Sequence, residues 1–184
     1  MQKLHVKDII FLTLISIIFG LIYLGTDFIY DGLTIALTPF KLGPLANDIM
    51  LGIWCMAGPL AGLIIRKPGA GFLAEFLGAA VELAIGGQWG VANLLSGLTQ
   101  GLGVELGFAL CRYRRYDWLT LISTTTMTAL VTFAYDLVKN GYSHFAPALI
   151  ALYFCVRWLS LFIFSGILVK AIAQLVAKSQ QVRP

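Results

Sequence analysis

The stretch Glu75–Asn93, EFLGAAVELAIGGQWGVAN, sets two glutamates seven residues apart in an otherwise apolar, small-residue segment. Seven residues are two helical turns, so a helix here carries Glu75 and Glu82 on one face. Gly78 and Ala79 lie between them and leave room for a ligand or a closely packed neighbour. Gly86-Gly87 then supplies a turn, and Gln88, Trp89 and Asn93 follow it. The question is what surroundings accept two carboxylates in so apolar a helix.

Composition answers the first half. Of 184 residues 59% are hydrophobic and 12% charged, and the mean hydropathy is +0.85. Soluble domains carry roughly 25% charged residues, so a soluble enzyme with an ordinary surface is excluded. The length suits one compact bundle, read as a single integral-membrane domain over 1–184. The formal charge of +4 sits mostly in short connections and reads as a topology signal. Cys55, Cys111 and Cys155 are odd in number, far apart and without metal-ligand spacing, as expected of small buried hydrophobes. No A-x-A-like cleavage site follows the first apolar segment, which is expected to be a retained helix.

Six apolar segments cover approximately 7–27, 44–65, 70–86, 90–111, 117–138 and 146–176. Turn chemistry marks their boundaries at Gly43-Pro44, Lys67-Pro68-Gly69, Gly86-Gly87 and Asn140-Gly141. The predicted fold is an all-α membrane protein, a bundle of six transmembrane helices. Lys3 and Lys7, Arg66 and Lys67, Arg112, Arg114 and Arg115, and Lys170, Lys178 and Arg183 fall at the N-terminus, the second connection, the fourth connection and the C-terminal region. The other connections hold only Lys41 and, in the fifth, Lys139 with His144. The positive-inside rule then places both termini in the cytoplasm. Residues 28–43 are expected to form a long loop folding back over the outer mouth, or an amphipathic segment lying on the membrane.

An ionised side chain at the centre of a membrane helix costs about 2.5–3.5 kcal/mol on insertion scales, so it faces protein or water. With the third segment ending outside, Glu82 lies about 6 Å and Glu75 about 16 Å deep. Trp89 and Asn93 share that outer end with Asn47, Asp48, Tyr135, Asp136, Asn140 and Tyr142. Arg157, counted inward from position 146, lies about 16 Å deep and is a matched partner for Glu75, with Glu105 the competing partner. The aromatic residues fit either a binding site or an interfacial belt. The Ser123–Thr126 run reads as helix-packing glue. No Ser–His–Asp set, metal spacing or Walker-type phosphate loop occurs. Carboxylates, amides and aromatic faces at one mouth suit a small, flat, cationic heterocycle. Competing classes are an intramembrane enzyme, a structural or assembly protein of the membrane, and a self-sufficient carrier, which would show repeated halves.

Across LGPLANDIMLGIWCMAGPLAGLIIRKPGAGFLAEFLGAAVELAIGGQWGVANLLSGLTQGLGVELGF, above all in KPGAGFLAE and GGQWGVAN, the chain resembles the YkoE family of substrate-binding S components of energy-coupling-factor (ECF) vitamin transporters. The resemblance implies a multi-pass subunit of the bacterial cell membrane that captures thiamine from outside. Hydroxymethylpyrimidine or another thiamine precursor is the alternative ligand. It also implies a transmembrane coupling subunit and cytoplasmic ATPase subunits as partners, ATP being used by those partners. No catalysis, metal or resident cofactor is expected, and no nucleic acid. A cobalt-permease label would require His- or Cys-rich ligation. Glu75, Glu82, Trp89 and Asn93 are the expected ligand residues by motif; Asp48, Tyr135 and Asp136 join them from depth and side alone. On the first helix, Ser16 and Gly20 form a small-xxx-small pair that would meet either the coupling subunit or the chain's own bundle.

Overall fold

A computed structural model describes residues 4–181; Lys3 and Arg183, which entered the charge pattern, lie outside them. The helices are α1 (Val6–Leu37), α2 (Leu45–Trp54), α3 (Ala57–Ile65), α4 (Ala70–Ala84), α5 (Ala92–Leu110), α6 (Trp118–Lys139), α7 (Pro147–Leu161) and α8 (Val169–Gln181). A π-helical stretch, Phe162–Leu168, joins α7 to α8 without a break. Four runs are long and apolar enough to cross a membrane: Val6–Phe40, Leu45–Ile65, Trp118–Lys139 and Pro147–Ser179. The shorter α4 and the glycine-rich α5 complete a six-helix membrane bundle.

The first difference from the sequence reading is at residues 28–37, which continue α1 and do not form a fold-back loop. No proline interrupts this stretch, so nothing stops the helix before Pro39. There the chain tightens into a 3-10 turn, Thr38–Phe40, and Lys41 takes a left-handed φ of 59°. The second span is also two helices. Pro59 has no N–H to give the Cys55 carbonyl, its partner four residues earlier in a continuous helix, so the ladder fails there. α2 stops at Trp54 and α3 begins at Ala57, with Pro59 in its first turn.

Around the bundle the neighbours run α1, α4, α5, α6, α7, α2 and back to α1. The second span is 83% buried, against 39% for the first and 28% for the last, which makes it the central element. Close approach is built into α5. Gly103 and Gly107 face Thr128 and Thr124 of α6 with no space for a side chain between them. Gly97 and Gly101 do the same against Ala79 and Phe72 of α4. Ser123 donates to the Gly107 carbonyl at 3.0 Å.

One end of the bundle collects the basic connections. Lys67 pairs with Asp8 at 2.6 Å. Arg66 lies over the Tyr116 ring, and Lys170 lies 3.7 Å from the centre of the Trp118 ring. The opposite end carries the α1–α2, α4–α5 and α6–α7 connections, and there the ring of helices leaves an open space.

Candidate functional site

The open space is a cavity of about 520 Å³, within the roughly 300–1,000 Å³ typical of small-molecule sites. Every span except the last lends it side chains. Tyr30 and Thr34 come from the extension of α1, Asn47 and Trp54 from α2, Glu82 from α4, Asn93 and Gln100 from α5, and Thr132, Tyr135 and Asp136 from α6. Trp89, in the connection after α4, closes one side. Its ring stands edge-on to Tyr30 and Trp54, with centroids 5.1 and 6.0 Å away. The indole N–H groups are tied back into the protein. Trp89 donates to Asp27 and Trp54 to Thr26, each at 3.0 Å. The ring orientations are therefore set before any ligand arrives, and the aromatic faces remain for stacking.

Glu82 is 3% exposed, and its Oε2 accepts from Asn93 at 2.9 Å. Asn93 also donates to the Ala79 carbonyl at 3.0 Å, which fixes its amide. Of the residues expected at the site, Glu82, Trp89, Asn93, Tyr135 and Asp136 line this cavity together. Glu75 and Asp48 do not.

Glu75 has a different employment. It is fully buried, and Oε1 accepts the backbone N–H of Gly58 at 2.7 Å. Oε2 accepts the Tyr23 hydroxyl at 2.9 Å, and that hydroxyl accepts in turn from the N–H of Ala57 at 3.1 Å. The first turn of α3 has donors with no partner in its own helix, and the interrupted span buries them. Glu75 and Tyr23 complete them, the carboxylate lying at the positive end of the helix dipole. On the other side of the gap the carbonyls of Gly52 and Cys55 share the single hydroxyl proton of Ser165, at 2.7 and 2.9 Å from its oxygen. Glu105 does comparable work for α4, accepting from Gly69 at 2.5 Å, from Phe72 at 3.2 Å and from the Tyr113 hydroxyl at 2.7 Å.

The expected Glu75–Arg157 pair is not formed, and Glu105 is not the partner of Arg157 either. Arg157, wholly buried, binds Asp48 through Nε at 2.6 Å and Asp136 through Nη2 at 2.5 Å. Depth matching failed because the proline gap supplies Glu75 with backbone donors that sequence spacing does not display. Asp48 is completed by the Tyr142 hydroxyl at 3.2 Å, and Asp136 by Asn47 and Asn140 at 3.1 and 2.9 Å. This network locks α2, α6, α7 and the α6–α7 connection behind the cavity wall. Ser16 and Gly20 pack within the chain's own bundle, one of the two expected alternatives. Ser16 is 2% exposed and donates to Leu12 and Ala74, and Gly20 packs on Val81 and the Gly78 carbonyl. That face meets α4 inside the bundle.

Tyr23, Tyr30, Trp54, Gln100, Thr132 and Asp27 were missed as site residues. A tryptophan in the middle of an apolar span, away from either interface, was the available signal for Trp54. Asp27 and Tyr30 were placed at the edge of a loop because α1 was ended too early. Among the described residues no group of three or more His, Cys, Asp or Glu side chains stands where it could hold a metal ion.

Comparison with known proteins converges on one family. The family described as "ABC-type cobalt transport system, permease component" matches residues 7–131. A curated relative from Bacillus subtilis (strain 168), a candidate HMP/thiamine permease protein named YkoE, is 32% identical over 177 residues. The alignment covers 96% of this chain and 86% of that protein. A crystal structure of an S-component of an ECF transporter superposes with a TM-score of 0.89 at 30% identity, covering 97% of this chain and 88% of that one.

Proposed function

The chain belongs to the YkoE-like family of ECF-transporter S components, and from that premise we propose that it captures thiamine in the cavity closed by Trp89. The chain is the substrate-binding, multi-pass membrane subunit of an ATP-driven vitamin importer. The identity of the vitamin is supported by one observation above the rest: a buried carboxylate, Glu82, on a wall whose other surfaces are the aromatic groups Tyr30, Trp54 and Trp89. A thiazolium carries positive charge and an aminopyrimidine carries a donor amine, so carboxylate and ring faces suit both. Gln100 offers an amide to a ring nitrogen, while the amide hydrogens of Asn93 are held by Ala79 and Glu82. Asp136 and Tyr135 contribute at the opposite wall, Asp136 while still holding Arg157. The named relative couples HMP with thiamine, so hydroxymethylpyrimidine is the alternative ligand at the same place.

A transported ligand undergoes no bond making, and the side chains here bind and orient. The energy for uptake comes from partner subunits, a transmembrane coupling protein and cytoplasmic ATPases. The test is a titration of the purified chain with thiamine, followed by recovery of the ligand. Saturable binding near one per chain, with thiamine recovered unchanged, is expected. Uptake into vesicles should require the coupling and ATPase subunits and ATP. Conversion of thiamine by the isolated chain would overturn the transport reading. Tight binding of hydroxymethylpyrimidine with none of thiamine would transfer the site to the precursor.

A further inference from the structure

The lining of the cavity contains a single cationic side chain, Lys139. It stands in the last turn of α6 and is exposed. Its Nζ lies 5.1 Å from the centre of the Tyr135 ring, one turn earlier on the same wall. Among the described residues no carboxylate comes within ion-pair distance of that ammonium. The Tyr135 hydroxyl likewise makes no hydrogen bond among the described residues. The rim of the cavity at α6 therefore presents two uncommitted donors, one of them charged.

A helix C-terminus favours a cation, which accounts for a lysine in the last turn of α6. It does not account for an ammonium seated over a ring that lines the cavity. Beside a site for a cationic heterocycle such a charge is unfavourable, because like charges repel. Neighbouring acids do not cancel it. Asp136, on the same wall, has its oxygens taken by Arg157, Asn47 and Asn140. Glu82 belongs to α4, where Asn93 holds it. The repulsion disappears when the ligand itself brings an anion to α6. An ammonium and a phenol hydroxyl are donors suited to one.

We propose that Lys139 and Tyr135 form an anion subsite at the rim of the cavity, which takes the phosphate of a phosphate monoester of the same vitamin. The inference rests on the thiamine reading of the cavity and extends it to the phosphorylated ligand. The heterocycles lie toward Glu82 and the rings of Tyr30, Trp54 and Trp89, and the alcohol end, which carries the phosphate in the ester, points to α6. A phosphate monoester has a charge of about −1.5 to −2 near pH 7. Lys139 answers that charge and Tyr135 adds a hydrogen bond, so the same cavity accepts the vitamin with or without its phosphate.

The experiment is calorimetric titration of the purified parent chain, Lys139→Ala, Lys139→Glu and Tyr135→Phe with thiamine and with thiamine monophosphate. The parent should bind the monophosphate no more than about threefold weaker than thiamine. Lys139→Glu should move the two ligands in opposite directions, weakening the monophosphate and leaving thiamine equal or tighter, so that their ratio changes by about tenfold. Lys139→Ala should change the ratio in the same sense by about two- to fivefold. Tyr135→Phe keeps the ring under the ammonium and removes the hydroxyl, and the monophosphate alone should weaken by about threefold or more. A lysine that only caps α6 would shift both ligands alike; an unchanged ratio in Lys139→Glu overturns the subsite. Tyr135→Phe without effect on the monophosphate overturns the pairing of the two donors. Absence of thiamine binding to the folded parent overturns the vitamin reading and the subsite with it. Thiamine binding with the monophosphate more than about threefold weaker overturns the subsite alone.

Discussion

Glu75 and Glu82 share one face of α4, and their surroundings assign them opposite work. Both oxygens of Glu75 are used by the protein, holding the start of α3 through Gly58 and Tyr23. Glu82 lines the cavity and leaves one oxygen without a hydrogen-bond partner among the described residues. Neutral amides at the two positions should therefore separate stability from binding. In Glu75→Gln the Tyr23 hydroxyl, which already accepts from Ala57, loses the acceptor for its own proton. We expect about 1.5–3 kcal/mol of lost stability, the range for hydrogen bonds to charged groups, seen as a lower unfolding temperature in detergent with thiamine affinity changed by less than about threefold. Glu82→Gln should leave the unliganded unfolding temperature close to the parent's and weaken thiamine roughly 10- to 150-fold. The reverse pattern would exchange the two roles. Trp89→Ala should weaken binding as well, and Trp89→Phe less, because phenylalanine keeps part of the stacking face but not the bond to Asp27.

At the scale of elements, the paired defect between α2–α3 and the π-helical stretch organises the interior. Ser160 donates to the Ile49 carbonyl at 2.6 Å and accepts the Gly52 N–H at 3.1 Å, and Ser165 takes the carbonyls of Gly52 and Cys55. The two serines are five residues apart, the spacing that π-type bonding brings to one face. An irregularity in one span thus answers an irregularity in the other, giving these freed backbone groups partners within the protein. Ser165→Ala would remove the one hydroxyl proton that two buried carbonyls share, at about 1–3 kcal/mol for the group left unsatisfied. The unfolding temperature should fall clearly, whereas Ser179→Ala, which removes an exposed bond to Val176, should leave it unchanged. Equal unfolding temperatures for Ser165→Ala and the parent would show that the gap in the second span needs no such support.

These elements also show what was legible in sequence. Hydropathy and turn residues sufficed for a six-helix membrane bundle, because lipid forces backbone bonds inside each span. The acids and rings of the α4–α5 corner carried the cavity wall, since Glu82, Trp89 and Asn93 are close in sequence. Tyr30 and Trp54 were not legible as site residues, because they reach the cavity only through the packing of α1 and α2 on α4, and Asp27 acts there only through its bond to Trp89. Pro59 was visible in the sequence, but the donors and acceptors it releases find partners 17 and 110 or more residues away, at Glu75 and Ser165. Arg157 was matched by depth, which fixes height in the membrane but not direction around the bundle.

For the whole molecule, charge and cavity lie at opposite ends. Arg66, Lys67, Arg114 and Lys170 belong to the end where Asp8 and Tyr116 meet them, and the cavity opens at the end of Trp89 and Tyr142. Positive connections are retained in the cytoplasm, and on that rule we propose that the cavity faces outward, as capture for import demands. The orientation can be tested with single cysteines introduced where Cys55, Cys111 and Cys155 have been replaced. Cysteine at Thr38, Gln88 or Ser143, all exposed at the cavity end, should react with a membrane-impermeant maleimide on intact cells. Cysteine at Arg114 or Lys178, at the basic end, should react only after permeabilisation. Saturating thiamine should slow labelling at Thr38, which lines the cavity, and leave Ser143 unaffected. Labelling of Arg114 on intact cells would invert the molecule. The cavity would then face the cytoplasm, and a subunit so oriented could release a vitamin inward but could not capture one from outside.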